Sequence, residues 1–435
     1  MFKKLSTSMV AAVVIMSSSS LSVVHAAEAA NAAPAPAPLC PGSLIDGKKR
    51  KTQLMGPSVG KKVQAAFDAY TADDINGAIQ ILLDIDVDDD EIFDKATRAR
   101  YLAVMYAQKG DAWDESMKYL KEATAPNVLT EADHGESLKL LADLQMQEKQ
   151  YKEAVTNYYK WMDFTCKNDG NTWVKISQAH YELKQLDKMI EPADKAIKAF
   201  SEAKKPSQNP YILKVTSYYE RKKYKEAIDV LETVVQVFPG EKQWWTQLGM
   251  FYLLVENYAK SLATLELAYI QGHLVKESEV KTLVQLYSSN QMPYKAAVLL
   301  EKHMNEGLIT RDDKNLETLA NAWHAAMHIA DAAKVFGEVA KLTNDAKHYQ
   351  KQGVLLVQDE QFKPGIAALT KALDLGVKSP GRLHMSIAES HFYLGEFKQA
   401  YAAIKKAMEY PQTRKTAKSW EGFIKDTAQR KGKAI

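Results

Sequence analysis

The sequence predicts an all-α repeat protein, and three observations carry that reading. A pattern of small and large apolar residues recurs about ten times at nearly constant spacing. Each copy divides into two stretches with the i, i+3, i+4 periodicity of an amphipathic helix. The chain has 435 residues, 46% hydrophobic and 26% charged, which is ordinary for soluble protein. Length alone suggests two or three domains. A repeat array overrides that prior because it grows along one dimension without a closed core.

The clearest copy runs from Trp245 to Ala268, WTQLGMFYLLVENYAKSLATLELA. Trp245, Leu248 and Tyr252 share one helical stripe. Gly249 and Ser261 are small where two antiparallel helices must approach. Leu265 fills the space between the helices, Ala268 closes the second one, and Asn257 and Tyr258 mark the turn. A helix pair of this kind cannot bury its apolar face alone and needs copies on both sides.

The copies align on the small residue of the second helix. Upstream of Ser261 it is Ala78, Ser116, Ala154, Met189 and Ala227; downstream it is Ala296, Ala332, Gly365 and Ala400. Met189 is oversized for the slot, so its unit is degenerate. The first unit is weak, because Ala69 stands where a tyrosine belongs.

Taken in order, the chain opens with Lys3 and Lys4, a short apolar run from Met9 to Met16, and Val24-His25-Ala26. That is the layout of a signal peptide over 1–26, cut after Ala26. The apolar run is too short to span a bilayer, and no later segment is long enough. Leu39-Cys40 does not make a lipoprotein signal, because three prolines separate Cys40 from the apolar run. Residues 27–59 form a disordered or extended segment, Ala/Pro-rich at first. The basic run Lys48 to Lys51 reads as a solvated loop.

The repeats span 60–411. In the first, Ala66, Phe67, Tyr70, Ala78 and Leu82 carry the pattern. The acidic run from Asp84 to Asp94 fails as a calcium loop, since Asp89 and Lys95 stand where the EF-hand needs Gly and Glu. Its aspartates suit helix N-caps. Units two to four carry Leu102, Tyr106 and Leu120; Leu138, Ala142 and Tyr158; and Trp173, Ile176 and Ala196. The polar stretch Ser201 to Pro210 is a connecting loop. Unit five runs from Tyr211 to Pro239 and unit six is the stretch from Trp245. Units seven to ten carry Val280, Leu283 and Leu300; Leu316, Trp323 and Phe336; Tyr349, Leu356 and Leu369; and Ile387, Phe397 and Ile404. Residues 412–435 supply a capping helix and tail with Trp420, Phe423 and Ile424.

These residues make the chain resemble tetratricopeptide repeat proteins, most specifically at 211–239 and 245–268. The resemblance implies a right-handed α-solenoid of about ten helix–turn–helix repeats. It also implies a concave groove, lined by first helices, that binds protein segments. Carried over residue by residue, the groove positions are Met146, Gln178, Tyr181, Thr216, Tyr219, Met250, Leu253, Asn321, Phe392 and Tyr393. Asp143, Val354 and His324 fall on the same faces. The paired Lys and Asn of a carboxylate clamp are missing, with Lys281 and Gln285 the nearest approach. The aromatic and apolar lining fits hydrophobic segments; the alternative is that the aromatics pack between neighbouring units.

No nucleophile elbow, phosphate loop, dinucleotide fingerprint or zinc-protease motif occurs, so the chain reads as non-enzymatic and without a cofactor; the remote alternative is an enzyme with an unrecognised site. His324 and His328 lie four apart but lack a third ligand. The net charge is +3, or about +1 once Lys3 and Lys4 are removed. That near balance gives no reason to expect nucleic acid or an acidic membrane surface as ligand.

Only Cys40 and Cys166 occur, and export would place them in an oxidising space. They either form a bridge that staples the N-terminal segment along the array or remain two separate thiols. The segment KTQLMGPSVGKKV, with the signal peptide, is similar to tetratricopeptide proteins encoded beside bacterial TonB–ExbB–ExbD systems. That implies a periplasmic scaffold whose partners are envelope proteins, TonB-system components among them. The alternative is a scaffold in cell-wall or outer-membrane assembly.

Overall fold

The structure, a computed structural model, describes residues 40–435 apart from Asp46 and Thr52. The expected signal peptide and the first part of the Ala/Pro-rich segment lie outside the described residues. Within them the chain forms twenty-one α-helices and no named strand; the one β-bridge joins Ile45 and Lys48. Among the described residues no helix is long and apolar enough to cross a membrane.

The helices pair in sequence, and the chain divides into two compact units at Pro239/Gly240. The first unit holds α1 (Pro57–Thr71) with α2 (Ile75–Leu83), α3 (Ile92–Lys109) with α4 (Trp113–Thr124), and α5 (Glu131–Gln147) with α6 (Tyr151–Thr165). It ends with α7 (Gly170–Glu182) and α8 (Ile190–Glu202), then α9 (Asn209–Glu220) and α10 (Tyr224–Val237). The second unit holds α11 (Lys242–Leu254) with α12 (Tyr258–Ile270), α13 (Glu277–Ser289) with α14 (Pro293–Asn305), and α15 (Asp313–Ala325) with α16 (Ile329–Thr343). Then come α17 (Ala346–Gln358) with α18 (Phe362–Leu375), α19 (Pro380–Tyr393) with α20 (Phe397–Met408), and a final α21 (Arg414–Arg430). Each unit is thus a stack of five tetratricopeptide-like pairs, an α-solenoid in which each helix packs on its sequence neighbours. The array begins at Pro57, which takes the first helical position where its missing N–H costs nothing.

The small residues set the closeness of each pair. All ten aligned positions, from Ala78 to Ala400, are buried. The facing residue on the first helix is also small in most pairs: Ala66, Ala103, Ala142, Ser177, Ala320 and Ala388 are buried. At Gly249 an added Cβ would lie 2.5 Å from Leu265, and at Gly353 it would lie 2.6 Å from Leu369. Where the small residue is serine, its hydroxyl bonds to the opposite backbone. Ser116 donates to the Ala103 carbonyl at 2.7 Å and Ser261 to the Gly249 carbonyl at 2.8 Å. The degenerate unit inverts this arrangement, with Ser177 on the first helix donating to the Met189 carbonyl at 2.9 Å. The bulk of Met189 is accommodated by a 3-10 turn, Leu186–Met189, ahead of α8.

Nine of the ten pairs turn in nearly the same way. The second residue after the first helix is left-handed at Asp73, Lys149, Lys184, Lys222, Glu256, Gln291, Met327 and Glu360, and is glycine at Gly395; in the tenth, Gly110 directly follows α3. The next N–H reaches back into the helix: Asn257 to the Tyr252 carbonyl at 2.8 Å, His328 to Trp323 at 3.0 Å, Gln361 to Leu356 at 2.8 Å. This is the Schellman closure. The turn therefore sits on Glu256, one residue before the expected Asn257. Asn257 instead caps α12, accepting the Lys260 N–H at 3.2 Å.

Trp245 packs half-buried against the core, as its place on the stripe with Leu248 and Tyr252 implies, and lies 6.5 Å from the His273 ring; its neighbour Trp244 is fully buried. One further expectation is corrected. The acidic run does not cap α3, since Glu91 makes no side-chain cap bond. Asp94 is instead buried and accepts the Gly56 N–H at 2.9 Å, which holds the chain entering α1.

Candidate functional site

The segment ahead of α1 is anchored at Cys40, Ser43 and Arg50, while Lys48, Lys49 and Lys51 are exposed, as expected of a solvated loop. A disulfide joins Cys40 to Cys166, which follows α6 in a left-handed conformation. Between them Pro41–Ser43 forms a 3-10 turn so close to α6 that a Cβ on Gly42 would lie 2.2 Å from the Asp163 carbonyl. Arg50, expected in a solvated basic loop, donates to the carbonyls of Ser43 at 2.8 Å, Asn127 at 3.0 Å and Leu129 at 2.8 Å. Its guanidinium also lies 4.8 Å over the Phe164 ring. Beneath that ring His134 is buried, its imidazole 4.6 Å from Phe164 and its Nδ1 without a hydrogen-bond partner. Burial, with Arg50 adding to it, pushes His134 down from 6.5 to about 4. A cleft of about 720 Å³ opens beside this strap, walled by α4, α5 and α6. On it the buried Asn157 amide donates to Gln145 Oε1 at 2.8 Å.

The first-helix faces were the expected binding surface. In the first unit Met146 and Tyr181 are half-buried and packed against the core of α5 to α9. The Lys184 ammonium lies 4.9 Å over the Tyr181 ring. Gln178 and Thr216 are half-buried, and Tyr219 meets Tyr224 at 6.0 Å between ring centres. Asp143 is engaged within the fold: the Tyr158 hydroxyl donates to it at 2.5 Å and Lys175 pairs with it at 2.7 Å.

In the second unit Leu253 packs against the core from α12 to α18, and Met250 is half-buried. Asn321 and His324 are exposed, with Lys351 reaching the Asn321 carbonyl oxygen at 3.5 Å. Val354 and Tyr393 are exposed as well. Phe392 is the hub of an aromatic cluster, touching Tyr393, Phe397, Trp420 and Phe423 at centroid distances of 5.8, 5.6, 5.8 and 5.1 Å. Tyr393 also stacks on Phe362 at 5.3 Å.

Neighbouring pairs are joined by a recurring device. A carboxylate receives a tyrosine hydroxyl from one helix and a lysine from another. Tyr287 and Lys295 converge on Glu266 at 2.9 and 2.7 Å, as Tyr158 and Lys175 do on Asp143. On Glu421 the Tyr401 hydroxyl comes from α20 at 3.1 Å, but the lysine, Lys425 at 3.2 Å, sits one turn along the same helix as the carboxylate. The lysine ammonium also lies over the tyrosine ring, 5.3 Å away at Tyr287 and 5.2 Å at Tyr401. These groups take polar residues that sequence reading leaves free and use them as structural ties.

Among the described residues no group of three or more metal-ligating side chains comes together. His328 lies 5.0 Å from Trp323 and 5.1 Å from Tyr294 in a ring cluster, with its Nδ1 3.2 Å from Asp331. Sequence reasoning missed Arg50, His134 and the aromatic hub at Phe392. The only signal for the hub was the run of aromatics Phe392, Tyr393, Phe397, Trp420 and Phe423 in sequence.

No family model and no curated protein matches the chain. Among solved structures it is similar to Naa15/Naa10 bound to HypK-THB, at 13% identity over 78% of this chain and 61% of that one, with a TM-score of 0.41. It is also similar to MamA, at 15% identity over 40% of this chain and 90% of that one, with a TM-score of 0.33. A second MamA structure, MSR-1 C2, has 20% identity, covers 39% and 95% of the two chains, and has a TM-score of 0.30.

Proposed function

We propose that this chain is an exported, non-enzymatic scaffold that holds segments of other proteins on the first-helix faces of its two units, and that it serves in the periplasm as an accessory of a TonB-type energy-transduction system. One observation carries the binding role. In the second unit the first helices leave groove positions of mixed character open, Asn321, His324, Val354 and Tyr393 among them, although the second helices also expose apolar side chains such as Ile270, Tyr294 and Leu342. An exposed row of aromatic, aliphatic and amide side chains on rigid helices suits a peptide or helix laid across it. The disulfide supports an oxidising compartment. The TonB assignment rests on the resemblance of KTQLMGPSVGKKV and the signal-like N-terminus alone.

The test is capture of partners from envelope extract by wild type and by Thr216→Arg/Asn321→Arg, which sets a bulky charge on each face. Loss of captured TonB-system components in the variant, with its helix content unchanged, is the expected result. Equal capture by both proteins would remove the first-helix faces from the reading. Fractionation that finds the protein in the cytoplasm would remove the export.

A further inference from the structure

The near-zero net charge of the chain conceals a polarised end. Residues 412–435 contain seven Lys and Arg but two Asp and Glu, a net of +5 against +3 for the whole chain. All seven basic residues are exposed. Helix α21 buries Ala417, Ile424 and Ala428 against α20 and turns its remaining surface outward. Of the seven only Lys425 pairs with a carboxylate, Glu421 at 3.2 Å; the other six, Lys415 and Lys418 among them, have none within ion-pairing distance among the described residues.

The same helix completes the aromatic cluster. Phe423 is 48% exposed and Tyr393 is 60% exposed, both against the half-buried Phe392. Trp420 buttresses Phe423 at 5.9 Å. These rings are held by one another and by the α19–α21 packing, so an incoming apolar side chain would meet a preformed surface and little side-chain freedom would be lost. The lysines stand on the outward side of the same helix.

We propose that the face formed by α19 and α21 is a docking site for an acidic amphipathic protein segment. Its apolar side chains would rest on Phe392, Tyr393 and Phe423, and its carboxylates would meet Lys415 and Lys418. This deepens the scaffold reading and rests on it, by naming the charge and polarity of one partner segment. Charge complementarity decides the occupant: a basic or neutral apolar segment gains nothing from an end of this polarity, whereas an acidic one gains attraction and faster encounter. An anionic bilayer would also be drawn to the charge. However, the cap helix keeps its aliphatic face folded inward, and only the two rings Phe423 and Tyr393 of the cluster stand well out, too little apolar surface to insert.

The experiment uses the full chain and four probes: a sixteen-residue Glu/Leu/Phe amphipathic peptide, its Lys/Leu/Phe counterpart, its Gln/Leu/Phe counterpart, and vesicles containing anionic phospholipid. The acidic peptide is expected to bind best, and about tenfold more weakly when salt rises from 50 to 300 mM. Lys415→Glu/Lys418→Glu and, separately, Phe423→Ala are each expected to weaken it about tenfold, and Thr216→Arg is expected to leave it unchanged. The charge-reversal pair is exposed, so it keeps the site testable if the aromatic variant perturbs the cap. Binding of vesicles without the acidic peptide would overturn the proposal in favour of a lipid surface. Binding of the neutral peptide, sensitive to Thr216→Arg but not to the α21 variants, would overturn the proposal and leave the scaffold reading standing. Failure of all three peptides together with equal partner capture by Thr216→Arg/Asn321→Arg would defeat both.

Discussion

At the scale of single residues, the least expected feature is the turn. Eight of the ten pairs place a residue with a side chain in the left-handed region, φ between 58° and 62°. For such residues the conformation carries a steric cost that glycine escapes. Here it is held by the hydrogen bonds of the Schellman closure, which involve backbone alone. Met327, at φ 62°, is 72% exposed, so its removal forfeits little packing. Met327→Gly should therefore stabilise the protein by ~0.5–1 kcal/mol, and Met327→Val should destabilise it by a similar amount. Urea midpoints of the two variants check this; a Gly variant less stable than wild type would show that the turn carries no strain.

At the scale of the element, α21 has two faces with separable roles. Ile424 is fully buried in the last core together with Ala417 and Ala428. Ile424→Ala should cost ~2–4 kcal/mol and loosen the final pair. Phe423→Ala, on the open side, should cost less than ~1 kcal/mol while weakening the docking described above. Thermal melts of both variants separate the cases, and an equal loss in the two would mean that the rings are core rather than surface. The sequence marks this stretch as an amphipathic helix, and α21 buries its apolar face in the last core. What its amphipathic pattern could not reveal is that Phe392 reaches across from α19 to make one cluster of it, because that contact depends on the crossing of two helices.

At the scale of the whole molecule, acid should act in two stages. Between about pH 6.5 and about 4, unfolded chains bind a proton at His134 that the folded chain refuses, so stability falls as pH falls through that window and levels off below it. Glu266, Glu317 and Glu421 are held below the usual carboxylate range by hydrogen bonds from Lys295, Lys351 and Lys425. Their contribution is complete above the ordinary glutamate range and is lost as pH falls below it. Urea midpoints at pH 7, 5.5 and 4 should decline for wild type, and His134→Leu should flatten the upper part of that decline. An unchanged slope in the variant would assign the effect elsewhere.

The period of the array was legible because close helix approach admits only small side chains at one position per pair, and that constraint recurs. The one misfit, Met189, was also legible as a misfit, and the backbone answered it with a 3-10 turn. Of the anchoring ahead of α1, only the Cys40–Cys166 bridge was legible, as one of two readings. The rest was not, because it relies on backbone carbonyls and on Arg50, which follow no period. Nor was the engagement of Asp143 and Tyr181 within the fold, since a half-buried first-helix position has the same residue types whether it meets a neighbour or a ligand.

The disulfide has a mechanical meaning. Cys40 and Cys166 close a covalent loop 126 residues apart, and α1 to α6 all lie inside it. A pull applied upstream of Cys40 passes through the sulfurs and enters the chain ahead of α7. The first three helix pairs carry none of the load and cannot be unravelled by it. Reduction would return them to the line of tension and lengthen the stretched chain by about 440 Å. The bond thus fixes which helices a tether at this end can draw out.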